Sequence, residues 1–250
     1  MAAWFEDEDF WVKNGPLMFH SALWDEVPEI VDGLLRLAGP ALPEGGLVLD
    51  TCCGVGRHSI ELALRGWKVT GIDITEPYLE AARDSAEAFG CEPVFLHADL
   101  RTFRRPGAFN LAINLFRSFG YFDTRAEDQA ALANIAASLA PGGVFILETL
   151  GKELAARDFS EGEWFERDGW TVLTSYAVQG AWEGLHHRWI LEKGAERYDR
   201  SFVLRLYSAF EIGVALREAG FAQVDFYGSF AGTPYDNKAE TMIVVGRTAL

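Results

Sequence analysis

Apolar runs and amphipathic stretches alternate through the first three-fifths of the chain. LVLD (Leu47–Asp50) reads as a buried strand, followed by a helix from about Arg57 to Arg65. KVTGID (Lys68–Asp73) is a second strand, and Thr75 then caps a helix reaching about Phe89, with Pro77 tolerated in its first turn. PVFLHAD holds a third strand and FNLAIN (Phe109–Asn114) a fourth. Thr124 and Glu127 form a capping box, behind which Leu132, Ile135, Ala136 and Leu139 repeat at helical spacing, so one stripe faces a core. Pro141-Gly142-Gly143 stops that helix and VFILE (Val144–Glu148) is a fifth strand. Strand and helix in alternation through short connections predict a parallel sheet covered on both faces.

The pattern changes near Ser160. From Trp164 to Leu206 the period drops to two, with turn signals at Gly180–Gly184 and Lys193–Glu196, which predicts a small antiparallel meander. Helical spacing returns behind a second capping box, Ser208 with Glu211, and runs through Ile212, Ala215, Leu216 and Ala219 to Gly220. Two strands follow, near Val224–Tyr227 and Met242–Gly246. Ile30, Leu34, Leu35 and Leu37 place one or two helices ahead of the sheet. The chain thus divides into an N-terminal helical cap (1–45), a core (46–158 and 207–250) and an antiparallel β insertion (159–206).

Charge narrows the partners. The chain has 250 residues, with 22 basic against 37 acidic side chains, a formal net charge of −15. A field of that sign repels phosphate backbones and anionic lipid surfaces, so neither nucleic acid nor a membrane is expected as a partner. The start MAAWFEDEDFWVKNG has acids where a signal peptide needs a basic start, and no apolar run approaches the ~18 residues of a membrane span. Three cysteines, two of them adjacent, make no disulfide framework, and the expected location is cytoplasmic. Cys52 and Cys53 resemble half a metal site, but no second pair stands at a usual zinc spacing, and small buried residues are the better reading.

The candidate chemistry sits at strand ends. Gly54 and Gly56 occupy the turn where the first strand hands over to a helix, and open parallel sheets bind ligands beyond the carboxyl ends of their strands. Asp50, Asp73 and Asp99 close or follow three successive strands. A dinucleotide would set its pyrophosphate against Asp50, and Gly54-x-Gly56-x-x ends in Ser59 rather than glycine or alanine. A ligand with a cationic amino-acid portion, a ribose and a base fits better: Asp50 toward the cation, Asp73 toward the ribose hydroxyls, Asp99 toward an adenine amino group.

At this point DTCCGVGRH (Asp50–His58), GID (Gly71–Asp73), HADL (His97–Leu100) and LAPGG (Leu139–Gly143) resemble the class I S-adenosylmethionine-dependent methyltransferases. The likeness covers about Leu47 to Leu150 well and the closing elements loosely; Cys52 stands where the first motif glycine is usual. It implies a Rossmann-like α/β fold with a seven-stranded sheet, mostly parallel, whose last strand inserts antiparallel. It also implies S-adenosyl-L-methionine as cofactor and S-adenosyl-L-homocysteine as product. Asp50, Cys52, Gly54 and Gly56 would lie along the methionine portion, Asp73 on the ribose, and Asp99 with the Leu100 N–H on adenine. Arg57, Ile74 and Asn114 are carried to the cofactor side with them, and His58 is a cofactor-side hydrogen-bonding group or a helix cap.

The loop Asn114–Asp123 (NLFRSFGYFD) faces the methyl group in that fold and resembles small-molecule N-methyltransferases acting on amino sugars and glycine. Some amino-sugar relatives place a histidine proposed as base where Tyr121 aligns. Tyrosine, with a reference pKa of ~10, serves as a base only if strongly depressed, so Tyr121 is either the catalytic candidate or a residue that orients the acceptor. Phe116 and Phe119 are candidates for the acceptor wall, or core. Within the insertion, His186 and His187 point to opposite faces of a strand, so at most one lines a pocket; His187 and, from the GTPYD loop, Tyr235 are the further acceptor candidates. The insertion is read as lid, substrate or homodimer element, or as an extension of the core. The N-terminal aromatics Trp4, Phe5, Phe10 and Trp11 read as a lid over the cofactor, or equally as a helix packed on the sheet. The expected activity is methyl transfer to a small-molecule acceptor, at an amine nitrogen, by in-line displacement. A nicotinamide-dependent oxidoreductase and a non-catalytic protein that binds the same cofactor are the alternatives.

Overall fold

The computed structural model describes residues 3–20, 22–40 and 42–250. After a single 3₁₀ turn at Trp4–Glu6 come α1 (Glu8–Met18), α2 (Ala22–Asp25) and α3 (Val27–Ala38), more pieces than the one or two helices expected there. Then β1 (Leu47–Thr51), α4 (Arg57–Leu64), β2 (Lys68–Asp73), α5 (Glu76–Phe89), β3 (Val94–His97) and β4 (Phe109–Asn114) follow the expected alternation. They lead into α6 (Arg125–Ser138), β5 (Leu139–Thr149) and α7 (Lys152–Arg157). Four strands come next, β6 (Gly162–Arg167), β7 (Trp170–Gln179), β8 (Gly184–Lys193) and β9 (Glu196–Arg205), before α8 (Ala209–Ala219), β10 (Phe221–Tyr227) and β11 (Met242–Thr248).

The larger sheet has the order β10-β11-β5-β4-β1-β2-β3. Its pairs are parallel except those of β11, which lies antiparallel between β5 and β10, as the resemblance implied for the last strand. Alternation along each strand feeds two cores. Leu49, Phe109, Ala112, Phe145 and Leu147 pack with Leu132 and Ile135 of α6 and with Ile212 and Leu216 of α8. Val48, Leu111, Ile113, Val144 and Ile146 pack on the other face against Val31 and Leu34 of α3 and Leu62 of α4. Burial of these runs on both faces is why they read as continuous apolar segments.

Both capping boxes form. Thr124 Oγ1 accepts from the Glu127 N–H, Ser208 Oγ accepts from the Glu211 N–H, and each glutamate carboxylate accepts from the N–H of its cap residue in return. Thr75 holds the N-cap position of α5, but its side chain makes no cap hydrogen bond. The Pro-Gly-Gly segment does more than stop α6. It lies within β5, where the Gly142 N–H donates to the Ala249 carbonyl at 2.8 Å and Thr248 Oγ1 donates to the Ala140 carbonyl at 2.8 Å.

The insertion forms a separate antiparallel sheet, β6-β7-β8-β9. It is pinned to the larger unit at one corner, where Arg205 Nε donates to Asp128 Oδ2 at 2.9 Å, Tyr207 Oη donates to the same oxygen at 2.7 Å, and the Arg205 N–H donates to the Gly120 carbonyl. Asp128 is buried on α6. Among the described residues no helix is long and apolar enough to cross a membrane.

Candidate functional site

Strand order reverses between β1 and β4, and the carboxyl ends of the neighbouring strands open there into a crevice. A cavity of about 1040 Å³, counting its mouth, occupies that crevice. Its wall includes Asp50, Cys52, Gly54, Arg57, His58, Asp73, Ile74, Asp99 and Leu100 from the sequence-derived set.

The turn after β1 is shaped by backbone that side chains resist. Cys52 and Gly54 both have positive φ, 56° and 55°, and a Cβ on Gly54 would sit 2.9 Å from the Phe19 ring. The Gly54 N–H donates to Asp73 Oδ2 at 2.8 Å and the Thr75 N–H to Asp73 Oδ1 at 2.9 Å, so Asp73 fixes the first turn and the start of α5 while lining the cavity. Burial raises its carboxyl above the usual range against those hydrogen bonds.

Asp50 is 2% exposed and accepts from Ser59 Oγ at 2.6 Å. Burial pushes it up to about 7, the Ser59 bond opposes that, and Asp73 adds to it. Arg57 is also buried, and its guanidinium lies 4.2 Å over the Phe116 ring. It makes no ion pair with the carboxylates among the described residues, and its Nη1 has no hydrogen-bond partner. A buried acid and a buried, unpaired arginine on one wall are matched to a zwitterion, since each charge costs free energy until it meets its opposite. His58 is no cap. Burial drives its imidazole down to about 3, and Nε2 lacks a partner.

Asp99 reaches the cavity, but Arg101 takes up its carboxylate through Nε and Nη2 at 2.9 and 2.6 Å, and through the Arg101 N–H. Burial works against the charge, yet Arg101 wins and holds the carboxyl below the usual range. Arg101 also donates to Glu6 at 2.6 Å and Glu127 at 3.1 Å, tying the N-terminal segment to the site.

Two residues expected on the cofactor side do not line the cavity. A Cβ on Gly56 (φ 76°) would meet Phe95 and Ala82, so this glycine serves the close packing of α4 against α5 and β3. Asn114 is fully buried behind the turn, where its Nδ2 donates to Thr51 Oγ1 at 3.0 Å. The thiols of Cys52 and Cys53 are both pushed up by burial, which leaves them protonated.

A second cavity of about 1370 Å³, counting its open mouth, lies between the inner face of the insertion, the N-terminal helix α1 and the loop after β4. Trp11, Met18, Phe116 and Tyr121 line both cavities, so the two meet at one wall. His187 faces into the second cavity while His186 is exposed on the other side of β8, as alternation requires. Tyr121 packs edge-on against Trp4, and burial raises its hydroxyl above the ordinary value, the reverse of what a base needs. Phe119 is in the core against Tyr207 and touches the first cavity rather than the second. Tyr235 reaches neither; its hydroxyl donates to Glu153 at 3.0 Å, holding the loop before β11 to α7.

Met18, Phe19, Tyr78 and Ser118 in the first cavity, and Arg117, Glu148 and Phe202 in the second, lie beyond the sequence candidates. Of these only Phe202 carried a signal, as the position of β9 opposite His187, whereas Trp189 belongs to the insertion expected to set specificity and does line the second cavity. Of the N-terminal aromatics, Phe5 and Trp11 line the first cavity, and Trp4, Phe10 and Trp11 the second.

Comparison with known proteins bears on this geometry. A family model described as a methyltransferase domain matches residues 48–143. The chain is 28% identical over 208 residues to dTDP-3-amino-3,4,6-trideoxy-alpha-D-glucopyranose N,N-dimethyltransferase of Streptomyces venezuelae, covering 77% of this chain and 84% of that one. Its fold matches a S-adenosylmethionine-dependent methyltransferase from Clostridium acetobutylicum with a TM-score of 0.76 at 14% identity, over 97% of this chain and 98% of that one. It also matches the sugar N-methyltransferase KedS8 from Streptoalloteichus with a TM-score of 0.72 at 20% identity, over 100% and 96%. The chain thus carries a methyltransferase domain over residues 48–143 and resembles the class I S-adenosylmethionine-dependent amino-sugar N-methyltransferases.

Proposed function

We propose that the protein methylates an amine nitrogen of a small molecule, with the cofactor in the first cavity and the acceptor in the second. The observation that carries this reading is the shared wall of Trp11, Met18, Phe116 and Tyr121, where two separately lined cavities meet. When bound, S-adenosylmethionine supplies a methyl group already activated on a sulfonium. The residues of the first cavity fit it. Asp50 would take the ammonium of its amino-acid end and Arg57 the carboxylate. Asp73 keeps lone pairs for ribose hydroxyls beyond those facing Gly54 and Thr75, and Asp99 with the Leu100 N–H would border the adenine.

The chain's own part is then positioning and exclusion of water. In-line displacement needs nucleophile, carbon and sulfur aligned, and orientation alone is able to supply ~7–11 kcal/mol in favourable cases. Trp4, Phe10 and Trp11 line the acceptor side of the junction, where they would exclude water and so strengthen nearby electrostatics. Tyr121, its hydroxyl protonated, would orient the acceptor rather than take its proton. The nitrogen of the acceptor follows from the likeness to enzymes named for N-methylation of amino sugars.

The test is incubation with isotopically labelled S-adenosylmethionine and a mixture of small amines, with mass spectrometry of the products. Label on nitrogen supports the reading. Cofactor binding with label only on oxygen or carbon, or on nothing, rejects it.

A further inference from the structure

The turn that follows β4 has a backbone conformation that its side chains resist. Phe116 and Arg117 stand consecutively in the left-handed region, at φ 58° and 59°. Glu148, near the end of β5, braces it. Its Oε2 accepts from the Phe116 N–H at 2.7 Å, while its Oε1 accepts from Thr241 Oγ1 at 3.3 Å. The first of these is a charge-assisted bond, stronger than one between neutral groups. Strained backbone of this kind persists only where its surroundings over-determine it.

What the turn carries is the Phe116 ring. Phe116 lines both cavities, and the Arg57 guanidinium lies 4.2 Å over its ring. Arg57 is buried and its Nη1 has no hydrogen-bond partner, so the ring is the platform that fixes this long side chain in one place. Glu148 itself lines the second cavity and not the first. One backbone N–H and one ring thus connect a carboxylate on the acceptor side to a guanidinium on the cofactor side.

Resting on the reading of Arg57 as the group that takes the cofactor's carboxylate, we propose that Glu148 is a positioning residue for that grip. It holds the left-handed turn that puts the Phe116 ring under Arg57, and so sets from across the shared wall where the guanidinium meets the amino-acid end. The effect is confined to one part of the ligand. The ribose and base, placed against Asp73 and Asp99, do not depend on it.

S-adenosylhomocysteine has the amino-acid end and 5′-methylthioadenosine lacks it, so calorimetric titration with the two isolates the grip on that end. The wild type should prefer the first by at least about a hundredfold, since Asp50 and Arg57 both meet it, and Arg57→Met should cut the preference by about tenfold. Glu148→Met should cut it by at least about threefold, by weakening S-adenosylhomocysteine and leaving 5′-methylthioadenosine within about twofold of wild type. Glu148→Gln keeps an oxygen for the Phe116 N–H and should restore most of the preference. Glu148→Asp keeps the charge but falls short of that N–H; it should behave like Glu148→Met and carries the test if the latter fails to fold. In an Arg57→Met background, Glu148→Met should cost nothing further. A folded Glu148→Met or Glu148→Asp that keeps the full preference overturns the proposal, as does one that weakens both ligands alike, the mark of a merely structural role. A wild type without preference, or an Arg57→Met variant that keeps it, rejects the reading of Arg57 and the proposal with it. Preference lost in Arg57→Met but kept in the Glu148 variants rejects the proposal alone.

Discussion

Replacing Asp50 with asparagine separates the energetics of the first cavity from its shape. The carboxyl is fully buried, keeps one hydrogen bond from Ser59, and is pushed from 3.8 up to about 7. Because the folded protein holds this proton more tightly than the unfolded chain does, the contribution to stability is present in full below about pH 4. It is lost as pH rises, and levels off above about 7. Between pH 5 and 7 the loss amounts to about two pH units at ~1.4 kcal/mol each, or ~3 kcal/mol. The variant cannot ionise, so this slope should vanish whatever its own baseline stability. Urea unfolding of the cofactor-free wild type and variant at pH 5 and pH 8 reads the difference directly. The stability gap should move in favour of the Asp50→Asn variant by ~3 kcal/mol on going to pH 8.

Cofactor affinity should show the same group with the opposite sign. A cation placed against Asp50 draws off its proton, so wild-type affinity should climb by up to about tenfold per pH unit toward pH 7 and then flatten. Asp50→Asn should bind at least about tenfold more weakly at pH 8, with little dependence on pH, consistent with loss of one buried charge pair. Equal pH slopes in the two proteins, with unchanged cofactor affinity, would refute the reasoning.

Other perturbations probe separate parts of the account. Tyr121→Phe should lower turnover by less than about tenfold and leave the pH–rate profile where it was, because the hydroxyl is protonated throughout the accessible range; a profile that loses a limb would show the tyrosine acting as base. Gly54→Ala forces a Cβ into left-handed backbone and against the Phe19 ring, so a thermal melt should reveal a loss of about 1–2 kcal/mol and calorimetry a weakened cofactor site. Arg205→Met strands Asp128 as a buried acid beside Tyr207 and should cost about 3–5 kcal/mol in urea unfolding at neutral pH, with the penalty shrinking in acid.

How much of this was readable from sequence depends on how local each signal is. The strands of the larger sheet were legible because burial on both faces writes a continuous apolar run, and α6 and α8 because their caps are made by residues three apart. The three strand-end acids were legible for the same reason: a polar residue ends an apolar run where the chain leaves the sheet. What the acids hold was not. Asp99 is taken up by Arg101 and Asp73 by the Gly54 backbone, and both pairings depend on how turns fold back in space. Gly56 sits in the first motif and Asn114 at the end of β4, yet both serve inward packing, which only the placement of Phe95 and Thr51 in space decides. The acceptor cavity was the least legible part. Its wall joins residues from the first twenty positions, the loop near Tyr121 and strands around position 190, and no sequence spacing connects those segments.

The most direct test of the central claim is a crystal structure of the protein with S-adenosylhomocysteine bound. The account predicts the amino-acid end between Asp50 and Arg57, the ribose hydroxyls on Asp73, and the sulfur at the wall formed by Trp11, Met18, Phe116 and Tyr121, facing the cavity that His187 lines. A ligand bound outside this crevice, or one whose sulfur is directed away from that wall, would contradict it.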